Sequence, residues 1–520
     1  MKRNTHSAKQ LTHVIIGDEK HPVTLYSAHL IARTGAQVTL SAAAKQKTQQ
    51  SRAFIERIAQ GERAVYGVNT GFGELSSIRI QPEQIADLQR NIARSHSSGV
   101  GEPLAKDVTR AMMFFLANSL SKGYSGVRAE VIETILALLN NDLTPVIPSR
   151  GSVGASGDLA PLAHLALTLM GEGEIKAKGK RGNSAEMMQS VGITPLELGA
   201  KEGLALMNGT HLMEAMGALA VYDSWRLLRA AEIAAGMSLE ALMGSQAPFD
   251  ARIHRIRPQP GQKETAARVL RMLEGSEIIP SHKDCGRVQD PYSIRCIPQV
   301  LGAVRDTLTH CEQVFSYELN AVTDNPLIFA EDEMTLSGGN FHGQPLAAAL
   351  DFAAIAVAHM AGFSERRIYN LMGPHTWDVN GAPPFLTKNP GLHSGYMIAQ
   401  YAAAALTNEI NLLAHPASVG SLPTSAGMED FVSMGATAGH KLLQSLELAR
   451  NVIAIELICA AQGLEFRKPL KPGRGVDAAY QAVRSVAAEL HEDRPPAPDI
   501  EHVAKAIADG LFDSALADYN

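Results

Sequence analysis

Long stretches of this chain place apolar residues at the three- and four-residue steps of an α-helix, and several are rich in alanine on more than one face. A helix that is apolar all round has to be enclosed by other helices, because its surface cannot be left in water. The stretch from Lys441 to Cys459 has one apolar and one polar face. We therefore predict a mainly α protein. Further helices are expected over residues 105–120, 126–140, 211–244, 299–320, 344–370, 396–413 and 476–490.

The first part of the chain differs from the rest. Val14–Gly17 and Val38–Leu40 have the composition of short strands, and such runs are rare later in the sequence. We predict a mixed N-terminal domain over residues 1–210, followed by a long-helix bundle domain over residues 211–520.

Charge and cysteine content exclude several classes of protein. The 520 residues include 47 Lys and Arg against 53 Asp and Glu, and the net charge of −6 is spread along the chain, so we expect no nucleic-acid partner. The four cysteines have no CxxC spacing, and we expect no metal site. The N-terminus lacks the apolar segment of a signal peptide, and the alanine-rich stretch 346–363 carries Asp351 and His359. We expect a cytoplasmic protein that does not enter a membrane.

The glycine-rich loop after Pro148 is the first candidate functional site. It reads SRGSVGASGDLAPLAH and lacks both the GK[ST] of a phosphate-binding loop and the GxSxG spacing of a nucleophile elbow. One interpretation is structural: a tight loop leads into a helix that begins near Leu159, with Asp158 as its N-cap.

A second interpretation is that Ala155-Ser156-Gly157 reacts with itself. Attack of the Gly157 nitrogen on the Ala155 carbonyl closes a five-membered ring if the backbone folds back, which glycine permits. Loss of water from that ring and from the Ser156 side chain leaves an electrophilic methylidene group. Such a group activates a poor leaving group, such as an amine, without an external cofactor.

This loop and its flanks resemble those of the aromatic amino acid ammonia-lyases, which carry a methylideneimidazolone (MIO) prosthetic group. The resemblance continues in order along the chain. Its motifs are VYGVNTGFG at 65–73, SH at 95–96, GSVGASGDLAPLAHLAL at 151–167, NGT at 208–210, QDPYSIRC at 289–296, TDNPL at 323–327, GGNFHG at 338–343 and ED at 429–430. The resemblance implies the long-helix fold of the aromatic ammonia-lyase/fumarase-like superfamily, MIO formed from Ala155, Ser156 and Gly157, and a homotetramer whose active sites draw residues from three subunits.

The implied reaction is elimination of ammonia from an L-α-amino acid to give a trans-α,β-unsaturated acid. Its difficult step is removal of the weakly acidic β-proton, which needs a base within hydrogen-bond reach. In this family the base is a tyrosine on the YGxNTGFG loop, which corresponds to Tyr66. Glycines in that loop would let it close over the substrate.

The resemblance also implies roles for a set of binding residues. Arg295 would hold the substrate carboxylate through two parallel hydrogen bonds, one helical turn beyond Tyr292. Tyr292 and Gln289 would line the reacting centre. Asn208 would hydrogen-bond the substrate or the ring carbonyl, and Phe341 would pack on the substrate or the prosthetic ring.

Four residues point to the substrate. Ser95-His96 resembles the histidine-specific branch of the family, and Met397 matches that branch as well. An imidazole needs polar partners, which His96 and the carboxylate of Glu429 would supply. We therefore expect elimination of ammonia from L-histidine to give trans-urocanate.

Some positions depart from the usual pattern of the histidine branch. His211 stands where Gln is common, Gly427-Met428 where Asn-Gln is common, His393 where Asn is common and Phe431 where His is common. Other activities therefore stay open: the same chemistry on tyrosine, phenylalanine or a modified histidine, or an aminomutase that adds the amine back at the β-carbon. A serine amidase with Ser156 as nucleophile and a non-catalytic helical scaffold are alternatives from other classes.

Overall fold

The computed structural model describes residues 13–61, 64–71, 77–283, 285–373 and 382–515. Helices dominate these residues, as the sequence pattern predicts. The α-helices are Leu25–His29, Ala42–Gln60, Ile85–His96, Lys106–Ser121, Ala129–Asn140, Leu159–Leu169, Ser184–Gln189, Glu202–Met207, His211–Ala241, Ala251–Ile256, Pro260–Met272, Ile278–Ser281, Tyr292–Arg295, Ile297–Glu318, Gln344–Met372, Met397–Leu413, Gly435–Glu465, Arg474–Arg484, Ala497–Asp509 and Leu511–Ala515. A π-helical turn spans Leu30–Thr34, and 3-10 turns span Pro82–Gln84, Ala247–Phe249, Pro384–Leu386 and Ser425–Gly427.

The chain forms two compact units, each assembled from separated stretches of sequence. The first comprises Met1–Leu219, Glu312–Leu350 and Pro416–His440. The second comprises Ala220–Cys311, Asp351–His415 and Lys441–Asn520. The division into domains at residue 210 stays a prediction.

The strands of the described residues all lie in the first unit, and they are short. His13–Ile16 pairs in parallel with Gln37–Leu40, which confirms the two strand-like runs near the N-terminus. The remaining pairs are antiparallel: Val100–Pro103 with Pro148–Arg150, Thr144–Pro145 with Glu174–Ala177, Glu174–Ala177 with Lys180–Asn183, and Leu327–Phe329 with Met334–Leu336. The strand Pro148–Arg150, in the first of these antiparallel pairs, leads directly into the glycine-rich loop.

Helical periodicity places most of the predicted helices to within a few residues of their ends, although the helix predicted over 476–490 ends at Arg484 and the 19-residue helix Ala42–Gln60 was not predicted. In the helix Gly435–Glu465, the predicted apolar face at Leu442, Leu446 and Ala449 is buried, while Gln444 and Glu447 on the polar face are exposed. Periodicity did not single out several helices with more polar sequences, such as Ile85–His96. That helix buries only Ile85, Gln89, Ile92 and Ala93.

A buried ion pair links three long helices inside the second unit. Arg367 on Gln344–Met372 donates two parallel hydrogen bonds to Glu456 on Gly435–Glu465, at 2.5 and 2.8 Å. The hydroxyl of Ser238, on His211–Ala241, donates to the same carboxylate at 2.7 Å. Arg367 and Glu456 are fully buried. Removing one partner would strand a buried charge, which costs several kcal/mol, roughly 3–5.

Among the residues that the structure describes, one helix, Gln344–Met372, is long and apolar enough to cross a membrane by length and composition alone. In this structure 67% of its most apolar window is buried, and a core helix of a globular protein passes the same test. Three of its charged residues, Asp351, Glu365 and Arg367, are buried, whereas Arg366 is exposed.

A buried acid in the second unit, Glu240, binds the backbone at the N-terminus of another helix. Glu240 is fully buried, and its carboxyl oxygens accept hydrogen bonds from the backbone N–H of Gly473 at 3.0 and 3.1 Å, just before the helix Arg474–Arg484. Burial raises the pKa of Glu240 to about 7, because the hydrogen bonds offset only part of the desolvation of the carboxylate.

Glu240 should make the stability of the protein fall as the pH rises. The folded pKa is about 7 and the ordinary value is 4.5, so the folded state binds more protons between these two values. The folded state gains stability from the protonated Glu240 carboxyl. This contribution is complete below pH 4.5 and is lost as the pH rises to 7. Relative to Glu240→Gln, whose side chain does not titrate, we expect wild type to lose about 3 kcal/mol of unfolding free energy across this range.

Denaturant unfolding at a fixed protein concentration measures this difference. Glu274→Gln is a matched control, since Glu274 is exposed and pairs with Arg474 at the surface. A wild-type stability that tracks Glu240→Gln at every pH would contradict the raised pKa.

Candidate active site

The tripeptide Ala155-Ser156-Gly157 lies in a loop between the strand Pro148–Arg150 and the helix Leu159–Leu169. Gly157 has φ +71°, and a Cβ at this position would lie 1.9 Å from the carbonyl oxygen of Gly209. No residue with a side chain fits there. Gly157 and Gly209 form a parallel bridge in which the backbone N–H of Gly209 donates to the carbonyl of Ser156 at 3.3 Å.

Asp158 holds this loop, but not in the way the sequence suggests. We predict it from sequence as the N-cap of the helix that it precedes; it stands at that position but makes no side-chain cap hydrogen bond there. Its Oδ2 instead accepts from the backbone N–H groups of Leu212 and Met213, both at 2.9 Å, in the first turn of His211–Ala241. The carboxyl therefore caps a different helix, and it ties the tripeptide to the start of that helix.

Two further contacts fix Asp158. Its backbone N–H donates to the carbonyl of Gly209 at 2.8 Å, and its Oδ1 accepts from the hydroxyl of Ser152 at 2.6 Å. Asp158 is completely buried, and burial raises its pKa to about 6 although these hydrogen bonds favour the carboxylate.

A cavity of about 240 Å³ opens beside the tripeptide in the first unit. The structure brings several of the predicted site residues to this cavity. Its lining is Ser95, His96, Ser98, Gly151, Ser152, Val153, Ala155, Ser156, Gly157, Leu159, Ala160 and Glu429. Three motifs that are far apart in the sequence thus meet at one place.

Glu429 reaches the tripeptide directly. The hydroxyl of Ser156 donates to its Oε1 at 2.9 Å, and the hydroxyl of Thr424 donates to its Oε2 at 2.7 Å. Thr424 and Glu429 also form an antiparallel bridge around a turn in which Ser425, Ala426 and Gly427 all have positive φ. Of these, only Gly427 adopts such a conformation without steric cost.

His96 ends the helix Ile85–His96 and is half-buried. Its Nδ1 lies 3.0 Å from the hydroxyl of Ser95. Burial lowers the pKa of His96, while the carboxylate of Glu429 opposes this shift. The imidazole is therefore neutral at pH 7, with one nitrogen available as a donor or acceptor.

Asn208 lies in a buried polar cluster behind the loop. Its side-chain amide donates to Asp324 Oδ1 at 3.3 Å and to the carbonyl of Asn325 at 3.1 Å. Asp324 also accepts from Lys201 Nζ at 2.5 Å, and both of these charged residues are almost completely buried. Sequence reasoning recognised the motif TDNPL but gave Asp324 no role and missed Lys201, which no motif marks.

Tyr66 and Phe341 are in the first unit and are half-buried. Tyr66 begins a turn at 66–68, where Gly67 has φ +73° and packs its Cα on Leu204. Within the described residues, neither Tyr66 nor Phe341 lines the cavity beside the tripeptide. Phe72 and Gly73 of the YGxNTGFG motif lie outside the described residues.

The remaining predicted residues belong to the second unit. Gln289 is exposed, and Tyr292 and Arg295 follow it on a short helix. The Arg295 guanidinium stacks over the Tyr292 ring at 4.7 Å, which confirms that the two project to the same side. Arg295 Nε is buried and has no hydrogen-bond partner among the described residues. Met397 is half-buried and begins the helix Met397–Leu413.

Known proteins are similar to this chain in both sequence and fold. A family model described as aromatic amino acid lyase matches residues 23–485. The histidine ammonia-lyase of Sorangium cellulosum is 50% identical over 503 residues, which are 95% of this chain and 98% of that protein.

Solved structures agree. The histidine ammonia-lyase of Trypanosoma cruzi superposes with a TM-score of 0.90 at 38% identity, over 98% of this chain and 95% of that one. A tyrosine aminomutase from Streptomyces globisporus superposes with a TM-score of 0.91 at 38% identity, over 98% and 99%. The fold class predicted from the sequence is confirmed, and the chain belongs to the aromatic amino acid lyase family.

Proposed function

We propose that this protein is a histidine ammonia-lyase, which converts L-histidine to trans-urocanate and ammonia with an MIO group formed from Ala155, Ser156 and Gly157. The observation that carries the proposal is the cavity in which His96, Glu429 and the tripeptide meet. Its polar walls suit an imidazole ring. The relative from Sorangium cellulosum, which is 50% identical in sequence and is named a histidine ammonia-lyase, supports the same substrate.

The residues around the tripeptide fit the MIO group. The left-handed Gly157, with no room for a side chain, suits a backbone that folds back on itself. The N–H of Gly209 faces the carbonyl of Ser156, which would become the ring carbonyl. When formed, the group supplies an electrophilic carbon that binds the substrate amine and makes it a better leaving group.

The chain's own residues would bind and orient the substrate. Neutral His96 offers one ring nitrogen to the imidazole, and the Glu429 carboxylate accepts from an imidazole N–H. The N–H of Gly209 would stabilise the negative charge that develops on the carbonyl oxygen of Ser156. Asn208 does not have to do this itself, because its amide already binds Asp324 and Asn325.

The residues of the 289–295 segment would complete the site in a homotetramer. The buried Nε of Arg295 lacks an acceptor among the described residues, which a substrate carboxylate would provide. Tyr292 orients this guanidinium by stacking, and Gln289, Met397 and Phe341 would line the bound substrate. Tyr66 would take the β-proton, since the family base stands at this position.

An aminomutase is the nearest alternative, because a tyrosine aminomutase has the same fold at 38% identity. We favour the lyase acting on histidine for two reasons. The relative named histidine ammonia-lyase is the more similar in sequence, at 50% identity. A tyrosine or phenylalanine ring would also leave Glu429 without an N–H donor.

The reaction is tested directly by mixing the purified protein with L-histidine. We expect urocanate absorbance and ammonia to rise in equal amounts, and the intact mass of the chain to be lower than the sequence mass by two water molecules. Ser156→Ala should fail to show the two-water loss and should lose activity, because its side chain has no hydroxyl to eliminate and cannot form the methylidene group. A folded wild-type protein with the full sequence mass would contradict the proposed mechanism. The two-water loss without urocanate would contradict the substrate.

Tyr66→Phe should lose turnover by about 10²–10⁴-fold while keeping its fold and its two-water mass loss, since removal of a general base has effects of this size. Steady-state kinetics and circular dichroism measure the two properties. Tyr26→Phe is a matched control at an exposed tyrosine. Full turnover in Tyr66→Phe would exclude Tyr66 as the base.

Glu429→Gln should lower kcat/KM for histidine by about 10–100-fold, because the amide offers a weaker acceptor to an imidazole N–H than a carboxylate does. Glu186→Gln, at an exposed position, is the control. Unchanged turnover of histidine in Glu429→Gln would show that this carboxylate does not bind the imidazole. Turnover of tyrosine or phenylalanine that exceeds that of histidine in wild type would favour the alternative substrates.

A further inference from the structure

Gly209 contacts the tripeptide through its backbone, and its Cα faces a buried histidine. Its N–H donates to the carbonyl of Ser156, and its carbonyl accepts from the N–H of Asp158. With φ +140°, a Cβ on Gly209 would lie 2.8 Å from His211 Nε2 and 2.8 Å from Thr323 Oγ1. The imidazole of His211 and the Thr323 hydroxyl therefore fill the space that a side chain would need, and the larger imidazole supports Gly209 at its Cα.

His211 is itself held by a second buried group. Its Nδ1 lies 3.2 Å from Glu214 Oε2, one turn further along the helix His211–Ala241. The two residues are only 2% and 3% exposed. A contact at this distance between two buried side chains fixes the plane of the imidazole ring.

Burial favours the neutral form of both members of this pair. Burial, aided by the nearby Glu318 and Asp158 carboxyls, raises the pKa of Glu214 well above its usual value. Burial lowers the pKa of His211 to about 3. The contact between Glu214 and Nδ1 is therefore a hydrogen bond between neutral groups, and Nε2 is the ring nitrogen that faces Gly209.

The backbone on the other side of Gly209 is also fixed. The hydroxyl of Thr210 donates to Glu318 Oε1 at 2.5 Å, and its N–H donates to Thr323 Oγ1 at 3.4 Å. Residues 208–211 are thus held in place along their whole length. Of these residues, His211 is the one whose side chain occupies the space beside the Gly209 Cα.

We propose that His211, held by Glu214, is a positioning residue for formation of the prosthetic group: it keeps Gly209 against Ser156 and Gly157 so that the tripeptide can close. This inference rests on the proposed function. His211 stands at one of the positions where this chain departs from the histidine branch. The Gln that is common there also carries an N–H donor on a side chain of moderate length.

The step that His211 assists is balanced without any oxidant. A bond forms between the Gly157 nitrogen and the Ala155 carbonyl carbon. The Ala155 oxygen leaves as water with one hydrogen from the Gly157 nitrogen and one from the Ser156 nitrogen. The Ser156 hydroxyl leaves as a second water with the hydrogen of its Cα. The reaction requires the Gly157 nitrogen to lie close to the Ala155 carbonyl carbon. A displaced Gly209 would let these two groups move apart.

The test follows the intact mass of the chain over time after a short pulse of expression, for wild type, His211→Ala and His211→Gln. We expect His211→Ala to lose its two waters about tenfold more slowly than wild type, the change that corresponds to ~1.4 kcal/mol in a barrier. His211→Gln should convert at a rate close to that of wild type. Glu214→Ala, which keeps the imidazole but removes its support, should also be slow.

His254→Ala is the matched control, since His254 is equally buried and its ring hydrogen-bonds Pro248 and Gln262. It should lose thermal stability but convert at the wild-type rate. Conversion of both His211→Ala and Glu214→Ala at the wild-type rate would overturn the positioning role. So would a delay in His254→Ala as large as that in His211→Ala, because the effect would then be general destabilisation. A wild-type chain that never loses the two waters would overturn the proposed function instead, and with it the basis of this inference.

Discussion

The close approach of Gly157 and Gly209 is the constraint on which the candidate site depends. The two backbones touch where a Cβ on Gly157 would lie 1.9 Å from the Gly209 carbonyl, so both positions need glycine. Asp158 then links this contact to the first turn of a 31-residue helix through Leu212 and Met213. A local loop is thereby held by one of the longest helices in the chain, which is why it can keep a backbone conformation that an unsupported glycine loop would leave.

Much of the scaffold could be predicted from the sequence. Helical periodicity is a local signal, and it located long helices such as Gln344–Met372 within a few residues of their ends. The role of Asp158 could not be found in the same way. An N-cap is expected to serve the helix that follows it, whereas Asp158 serves a helix that begins more than fifty residues later, and only the tertiary fold brings the two together. The two units could not be predicted either, because each is assembled from separated stretches of sequence that only the tertiary fold brings together.

The candidate site was predicted in part, and through resemblance rather than through pattern. Nothing local to His96 or Glu429 indicates that they line one cavity with Ser156, yet the structure places them there. The family motifs named these residues because they carry the chemistry. The supporting groups escaped notice: Lys201 is a single buried lysine whose importance follows only from its contact with Asp324, and Glu214 is one acid among many until its burial is known. Unusual protonation states of such groups arise from burial, which a sequence does not state.

The hydrogen bond between Ser156 and Glu429 links the proposed closure of the tripeptide to the binding of substrate. Before the tripeptide closes, the Ser156 hydroxyl occupies one oxygen of the Glu429 carboxylate, while Thr424 holds the other. In the proposed reaction the tripeptide would lose that hydroxyl, and Oε1 would lose this donor while Thr424 still fixes the orientation of the carboxylate. The event that would create the electrophile would then also free this oxygen to accept from an imidazole N–H. A newly folded chain would keep the Glu429 carboxylate hydrogen-bonded to its own Ser156 hydroxyl, and this binding group would become available only as the electrophile forms.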